Sequence, residues 1–410
     1  MDVLCIACKG KGLCGKSCWI LSKFRETAPK PTLHFKGLSA PEIFVGRVGY
    51  PYVNSGILAP SENDNVSNFP TAEEWSKNNF SVENILRLRG QLIYGRGSSH
   101  IRAPSRLKQV TQELTLSSRP VSTEFFLKKI PATQFTSDSV FSPMTNPAPI
   151  KKVILEDNPY VEKKVDYLTS DYNVKSTTAL IELYDSNIKL DHLQKLLSIG
   201  LLGVKVARRM VPTRWSITAT DDIISKKLID EIRYFPQINE ITLLSGNFVG
   251  NYIYILLLPG NFSFEALESW IPGGVYAPTE EGYTEQCNNS ENPITQDHED
   301  FFGRKDYASN VTGGYYAMRL PVSEYLHKIK RQATVLVFRE IRPEYYAPLG
   351  VGIVREATKR AVLSNPQKFE SLQKAIDFIE TNLITKKGRI AEVSWILKNY
   401  GKQKSLREFF

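Results

Sequence analysis

Four of the chain's five cysteines lie close together near the start of the sequence. They follow the spacing C-x2-C-x5-C-x3-C and are Cys5, Cys8, Cys14 and Cys18. Four thiolates on so short a loop can complete the tetrahedral coordination of a zinc ion. Such clustering is typical of a metal site rather than of a disulfide framework. We therefore predict a structural zinc site; the alternative is an iron–sulfur cluster, because four thiolates also hold such clusters.

A second group of residues is suited to binding phosphate. The segment 208–222 reads RRMVPTRWSITATDD. Arginine forks and hydroxyl groups are side chains that hold phosphates, and a tryptophan ring can stack on a base. The predicted contacts to nucleic acid in this segment are Arg208, Arg209, Arg214 and Trp215. The alternative is a strand with solvated arginines, followed by residues 220–222 as the cap of a helix.

The glycine-rich stretch VGRVGYP at residues 45–51 follows a short apolar run. Its glycines and its proline predict a tight turn after a strand. Backbone N–H groups in such a turn can face an anion, which makes Arg47 a further phosphate-binding candidate. The alternative is an ordinary corner between a strand and a loop.

Asp297, His298, Glu299 and Asp300 place four acid–base or metal-binding groups in succession. A divalent-metal nuclease can be built from such groups, although consecutive residues cannot all face one ion. We take His298, Glu299 and Asp300 as the candidate catalytic residues. The alternative is a solvated turn or a salt-bridge network, as charge runs usually are. The phosphate-binding candidates that follow this run are Arg304 and Lys305.

The last eight residues, QKSLREFF, carry three large apolar side chains. In a short helical turn, Leu406, Phe409 and Phe410 lie on one side and form an apolar plug, and the amide of Gln403 can hydrogen-bond beside it. Soluble chains rarely leave such a patch in water. The pattern resembles the peptide with which replication and repair proteins bind the sliding clamp (PCNA), and we predict that contact here. The alternative is a frayed tail or a helix end that packs on its own domain.

The bulk composition is that of an ordinary globular chain, with 410 residues and a formal net charge of +9. A positive balance fits a polyanionic partner such as DNA, although many basic proteins bind no nucleic acid. No run of about 18 apolar residues occurs, so no membrane span is expected. The first residues lack the apolar core of a signal peptide, and we expect an intracellular, cytoplasmic protein.

Hydrophobic periodicity predicts the elements that would position these groups. Strands are expected at 43–45, 241–244, 252–258, 333–339 and 351–356. Helices are expected at 75–94, 176–203 with an interruption at 185–189, 223–234, 261–270, 315–331, 365–383 and 390–400. The expected fold class is α/β or α+β with a mixed sheet core. Its expected regions are a zinc knuckle at 1–23, an N-terminal core at 37–260, a C-terminal region at 261–400 and a flexible clamp-binding peptide at 403–410.

Several of these motifs together resemble the archaeal Nre family of DNA repair proteins. They are the four-cysteine pattern, VGRVGYP, the 208–222 segment, GRKDYASNVTGGYYAMRL at 303–320 and the C-terminal peptide. The resemblance extends over nearly the whole chain. It implies a clamp-binding protein in DNA repair, with the four cysteines as metal ligands. The clamp contacts that it implies are Gln403, Leu406, Phe409 and Phe410.

The favoured function is therefore DNA repair, with recruitment by the clamp and contact to DNA through the arginine segment. The alternative is an enzyme that processes DNA or nucleotides through residues 208–222 and 297–319. Such an enzyme would be a metal-dependent nuclease or a nucleotide-dependent transferase. A third interpretation is a basic housekeeping protein whose C-terminal match is accidental. The residues alone leave open whether the protein is catalytic.

Overall fold

The computed structural model describes residues 22, 26–39, 42–61, 71–136, 138–272 and 294–401. The predicted zinc ligands and the predicted clamp peptide lie outside these ranges. The chain divides into two compact units. Unit 1 comprises Met1–Lys227 and Ala347–Ile353, and unit 2 comprises Leu228–Tyr346 and Val354–Phe410. Among the helices in the described ranges, none is long and apolar enough to cross a bilayer.

Unit 1 is built on a mixed sheet of six strands. These are β1 (His34–Ser39), β2 (Ile43–Val45), β3 (Tyr52–Pro60), β4 (Leu92–His100), β5 (Val121–Leu127) and β8 (Pro147–Leu155). Their spatial order is β1-β5-β8-β4-β3-β2. Neighbours run antiparallel except β4 and β8, which are parallel. A separate antiparallel pair consists of β6 (Phe135–Thr136) and β7 (Met144–Thr145).

The core of unit 1 follows from the alternation of side chains along these strands. In β5, the sequence VSTEFFL buries every second residue, including Phe125. Phe125 joins Ile57 of β3 and Ile93 of β4 in one apolar cluster. Val110 and Leu114 pack into the same cluster from a helix at Arg106–Leu116, where they lie one turn apart. The sheet thus has one face covered by a helix.

The helices with described bounds that lie wholly in unit 1 number six. They are α1 (Ala72–Lys77), α2 (Val82–Gly90), α3 (Arg106–Leu116), α4 (Lys163–Ser170), α5 (Ser176–Asp185) and α6 (Leu190–Ser198). The expected single helix at 75–94 is wrong, because Asn79 takes a positive φ and Ser81 caps a new helix by accepting from the Asn84 N–H. The expected interruption at 185–189 is confirmed, with Asn187 at positive φ between α5 and α6.

The long helix α7 (Thr213–Ile232) contains residues 213–222, the second part of the arginine segment at 208–222. The expectation that residues 220–222 cap a helix is wrong, because they lie inside α7. The Thr220 hydroxyl donates to the Ser216 carbonyl at 2.7 Å, one turn back. Pro212, which has no N–H to contribute, precedes the helix and accepts from the Trp215 N–H at 2.8 Å. The polar stretch therefore continues the helix rather than starting it.

Unit 2 contains a second mixed sheet of six strands. These are β9 (Ile241–Phe248), β10 (Asn251–Leu258), β11 (Ser263–Trp270), β12 (Ile294–Glu299), β13 (Thr334–Ile341) and β14 (Gln367–Phe369). Their order is β12-β11-β13-β10-β9-β14. Only β11 and β13 run parallel within this sheet as described. The expected mixed α/β fold built on mixed sheets is confirmed.

Helices cover both faces of the unit 2 sheet. They are α8 (Gly313–Ile329), α9 (Val351–Val362, from Val354 in unit 2), α10 (Leu372–Thr381), α11 (Arg389–Val393) and α12 (Trp395–Asn399). The last three pack on a face formed by Leu256, Leu267 and Phe338. On the opposite face, Phe264 of β11 makes an edge contact with Tyr315 of α8 at 5.2 Å.

Three elements of unit 2 differ in type from the expectation. Residues 367–369, which lie inside the expected helix at 365–383, form the strand β14. The expected helix at 261–270 is the strand β11, in which even Glu265 and Glu268 are buried, so the polar positions did not mark an exposed helix face. The expected strand at 351–356 belongs to the helix α9, in which Ala357 and Ala361 are both buried one turn apart. The run Val-Gly-Ile-Val was too short to distinguish a buried strand from a buried helix.

A partly buried ion cluster ties α2 and α6 to the segment before β2. The Glu42 carboxylate accepts from Arg89 at 3.1 Å and from Lys195 at 2.8 Å. Burial alone would raise the pKa of Glu42, but the positive charges of Lys195 and Arg89 and their hydrogen bonds lower it to about 2. Because the ordinary pKa is 4.5, the ionised carboxylate stabilises the folded chain.

Glu42→Gln is expected to lower the free energy of unfolding by about 2–3 kcal/mol at neutral pH. The folded-state pKa lies below the unfolded-state pKa, so the contribution is fully present above pH 4.5 and disappears as the pH falls towards about 2. Urea denaturation of both proteins across this pH range measures the difference.

The matched control is Glu26→Gln, which removes an exposed ion pair with Arg87 and is expected to change stability by less than about 1 kcal/mol. A wild-type advantage over Glu42→Gln that persists unchanged at the lowest pH would contradict the assignment.

Candidate functional site

The turn between β2 and β3 meets the first turn of α7 on the surface of unit 1. The Val45 N–H donates to the Thr213 hydroxyl at 2.9 Å. The rings of Tyr50 and Trp215 lie 5.2 Å apart, with 57° between their planes. The structure therefore joins the VGRVGYP motif to the arginine segment, which the sequence alone could not do.

The backbone of this turn is fixed by short hydrogen bonds. The Gly46 N–H donates to the Asn54 carbonyl at 2.8 Å, and the Tyr52 N–H donates to the Gly49 carbonyl at 2.9 Å. Gly49 has a φ of +81°, and a Cβ there would lie 2.8 Å from the Tyr52 carbonyl oxygen. Only glycine fits that position without strain. The turn consequently presents Val48 to solvent, with 87% of the residue exposed.

Two arginines of the prediction converge on one carboxylate, that of Asp138. Arg214 forms a close ion pair with Asp138, and its side chain is only 20% exposed. The Arg47 guanidinium is 4.0 Å from the same carboxylate and 54% of its side chain is exposed. Arg214 is thus largely neutralised and held in place, whereas Arg47 remains accessible to an external anion.

Aromatic rings border these arginines. Tyr50 is 41% exposed and Trp215 is 45% exposed. Tyr52 is also exposed and contacts His100 edge-on at 5.2 Å, since these two residues are partners in the β3–β4 register. We call this set the turn–helix surface. It consists of Arg47, Tyr50, Tyr52, His100, Arg214 and Trp215.

The other two predicted arginines lie elsewhere. Arg208 donates to the carbonyls of Gly203, Thr169 and Asp171 at 2.6–2.7 Å and lies over the Tyr172 ring at 4.3 Å. Its guanidinium is occupied by these backbone contacts, so it holds the end of α4 to the loop after α6. Arg209 is exposed.

The acidic run at 297–300 is divided by the geometry of β12. Asp297 accepts from the Asn310 and Val311 N–H groups at 2.9 and 2.8 Å, and Glu299 pairs with buried Arg319 at 2.9 Å. His298 points to the other face of the sheet, where it stacks on Trp395 at 4.5 Å. Alternation along the strand thus separates neighbours in sequence.

Two of the remaining candidates in this region, Asp300 and Arg304, also form contacts within the chain. Asp300 accepts from the Phe302 N–H in a local turn. Arg304 pairs with Asp297 at 3.1 Å, and Lys305 is exposed. Within the part of the chain that the structure describes, no three His, Cys, Asp or Glu side chains are grouped so as to hold a metal ion. The structure therefore does not bring His298, Glu299 and Asp300 to one point.

Family models match almost the whole chain. The model of the archaeal Nre N-terminal domain matches residues 13–277, and that of the C-terminal domain matches residues 299–409. The chain is 34% identical to DNA repair protein NreB and 37% identical to DNA repair protein NreA of Archaeoglobus fulgidus, covering at least 99% of each chain. It is 31% identical to DNA repair protein NreA of Haloferax volcanii, over 83% of this chain and 80% of that protein.

The chain belongs to the archaeal Nre family. The resemblance inferred from its motifs is confirmed. No solved structure matches the chain.

Sequence reasoning missed part of the turn–helix surface in this Nre chain. Tyr52 and His100 were not predicted, although Tyr52 directly follows the VGRVGYP motif that drew attention to Arg47. The sequence did not mark Asp138 as a partner of these arginines, because it stands 76 residues from Arg214. Its role becomes visible only when the fold brings both arginines to its carboxylate.

A buried ion pair under α8 of this Nre chain was also missed. Arg339 of β13 pairs with Glu268 of β11, its partner in the parallel register, and also donates to Asn251. Burial raises the pKa of Glu268 in spite of Arg339. A Cβ on Gly314 would lie 2.5 Å from the Glu268 carboxylate, so the glycine lets α8 approach the sheet closely.

Proposed function

We propose that this chain acts in DNA repair as a DNA-binding protein that the sliding clamp recruits. The observation that carries the DNA-binding part is the turn–helix surface, where exposed Arg47 lies beside the exposed rings of Tyr50 and Trp215. The relatives' names, DNA repair proteins NreA and NreB, support the repair role.

The chemistry of the surface fits a nucleic acid. Guanidinium groups bind phosphate oxygens with charge-assisted hydrogen bonds. Aromatic rings beside basic side chains are typical of proteins that bind exposed bases. The net charge of +9 would attract a polyanion. Arg47 is the arginine of this surface best placed to contact phosphate, because Asp138 already occupies Arg214.

Recruitment by the clamp is assigned to the C-terminal peptide. Gln403, Leu406, Phe409 and Phe410 keep the spacing of a clamp-binding motif. The helix α12, the last one in the described ranges, ends at Asn399, and Gln403 follows only a few residues later in the sequence. Three large apolar side chains next to a polar amide suit insertion into an apolar pocket of a partner.

The four N-terminal cysteines complete the proposal as a structural zinc site. All four ligands come from the protein and leave no position for substrate, which favours a structural role for the metal. The proposal assigns no catalytic step, because His298, Glu299 and Asp300 each have other contacts and do not converge.

Arg47→Ala is expected to weaken binding of the full chain to a fluorescent DNA oligonucleotide and to reduce the salt slope of the affinity by about one unit. The reason is the loss of one phosphate contact. Fluorescence anisotropy at several salt concentrations measures both quantities.

The matched control is Lys129→Ala, which removes an exposed cation after β5, three strands away from β3. It is expected to leave both quantities nearly unchanged. Equal effects of the two substitutions would mean that the DNA contact is diffuse and that Arg47 has no special part in it.

Replacing Phe409 and Phe410 together by Ala is expected to cost about 2–4 kcal/mol of binding to the cognate clamp, since terminal aromatics act as hot spots. Calorimetric titration of the full chain measures the loss. The control is Ser405→Ala at a spacer position of the same peptide, which should bind like the wild type. Unchanged binding by the double variant would remove the clamp from the proposal.

Elemental analysis of the purified chain is expected to find about one zinc ion per molecule. Cys8→Ser or Cys14→Ser should lower the zinc content, whereas Cys287→Ser, at the fifth cysteine, should not. Stoichiometric iron with sulfide would instead identify the iron–sulfur alternative.

A further inference from the structure

The turn–helix surface offers more ring surface than free charge. Tyr50, Tyr52 and Trp215 are each between 41% and 64% exposed. Of the two arginines, Arg214 is paired with Asp138 and only Arg47 is widely exposed. A surface that followed the backbone of a duplex would need more free positive charge and less ring surface, because its contacts would be made mostly to phosphates.

The pair formed by Tyr50 and Trp215 is open to a third ring. Their planes are inclined by 57° at a centroid distance of 5.2 Å, so they form a corner rather than a closed stack. The two rings come from separate elements that are joined by the hydrogen bond between Val45 and Thr213. The two elements that carry the rings are therefore joined before any ligand arrives, which reduces the entropy lost on binding.

The form of DNA that can use this corner follows from base stacking. In a duplex the face of each base is covered by its neighbours, and only the edges are exposed in the grooves. A protein ring can stack on a base only where the base is unpaired. Arg47 lies beside the corner and can reach a flanking phosphate, and Arg102 is exposed just beyond His100.

We propose that the turn–helix surface binds unpaired bases of DNA, as found in a single-stranded stretch, a gap or a flap. Tyr50 and Trp215 stack on a base while Arg47 contacts an adjoining phosphate. The inference rests on the proposed function, because it specifies which form of DNA the surface takes.

The experiment compares three labelled probes of equal length, roughly 20 nucleotides, with the full chain. They are an oligothymidine, a blunt duplex and an abasic strand that keeps the phosphates but has no bases. The oligothymidine is expected to bind about tenfold tighter than the abasic strand, given the usual contribution of one stacked base. It is also expected to bind tighter than the duplex.

Substitutions locate this preference. Trp215→Leu is expected to reduce the affinity for oligothymidine to nearly that for the abasic strand, and Trp215→Phe to retain part of the difference. Quenching of tryptophan fluorescence by oligothymidine should be smaller in Trp215→Phe than in the wild type. The matched control is Tyr167→Leu on α4, an exposed ring with Lys164 at 5.5 Å, which should behave like the wild type. Circular dichroism verifies that each variant is folded.

The outcomes distinguish the inference from the proposed function. Equal affinity for the abasic strand and oligothymidine, unaffected by Trp215→Leu, overturns base stacking but leaves DNA binding intact. Tighter binding of the duplex than of either single strand overturns the inference in the same way. No binding to any of the three probes overturns the proposed function itself. Tighter binding of an oligouridine RNA than of oligothymidine assigns the surface to RNA.

Discussion

The hydrogen bond from the Val45 N–H to the Thr213 hydroxyl joins segments that are 168 residues apart. It fixes the start of α7 against the end of β2, and with it the position of Trp215 relative to Tyr50. Neither ring is buried enough to be positioned by core packing. Their arrangement depends instead on backbone features, namely the turn held by Gly49 and the helix that begins after Pro212. These contacts fix the two elements beneath the turn–helix surface to each other.

In unit 2, buried glutamates and their hydrogen-bond or ion-pair partners determine how the elements pack. Glu265 lies under the start of α12 and accepts from the N–H groups of Trp395 and Ile396 at 2.6 and 2.9 Å. Glu268 and Glu299 are paired with arginines inside the same unit. A buried carboxylate without such partners would be strongly destabilising. Each of these acids therefore requires that a neighbouring element supply it with an N–H group or an arginine. These side chains therefore specify the packing of unit 2 although they are polar.

The same buried charges explain where sequence reasoning succeeded and failed. Strands with long apolar runs, such as β10 and β13, were predicted correctly, as were the periodic helices α5, α6 and α8. The strand β11 was mistaken for a helix, and both of its glutamates, Glu265 and Glu268, are buried. Periodicity assumes that charged residues face solvent, and in β11 they do not. For the candidate site, the sequence identified Arg47, Arg214 and Trp215 separately. Their convergence depends on Asp138 and Thr213, whose contacts are tertiary.

The proposed clamp peptide and the turn–helix surface complement each other physically. A surface with one widely exposed arginine and a few rings would release few counterions on binding DNA, so its affinity alone would be modest. Attachment of the peptide to a clamp that encircles DNA would make the second contact intramolecular. Binding would then be governed by an effective concentration of DNA at the surface rather than by its bulk concentration. Weak binding would be an advantage in that arrangement, because the proposed surface would test successive DNA sites and release those that present no unpaired base.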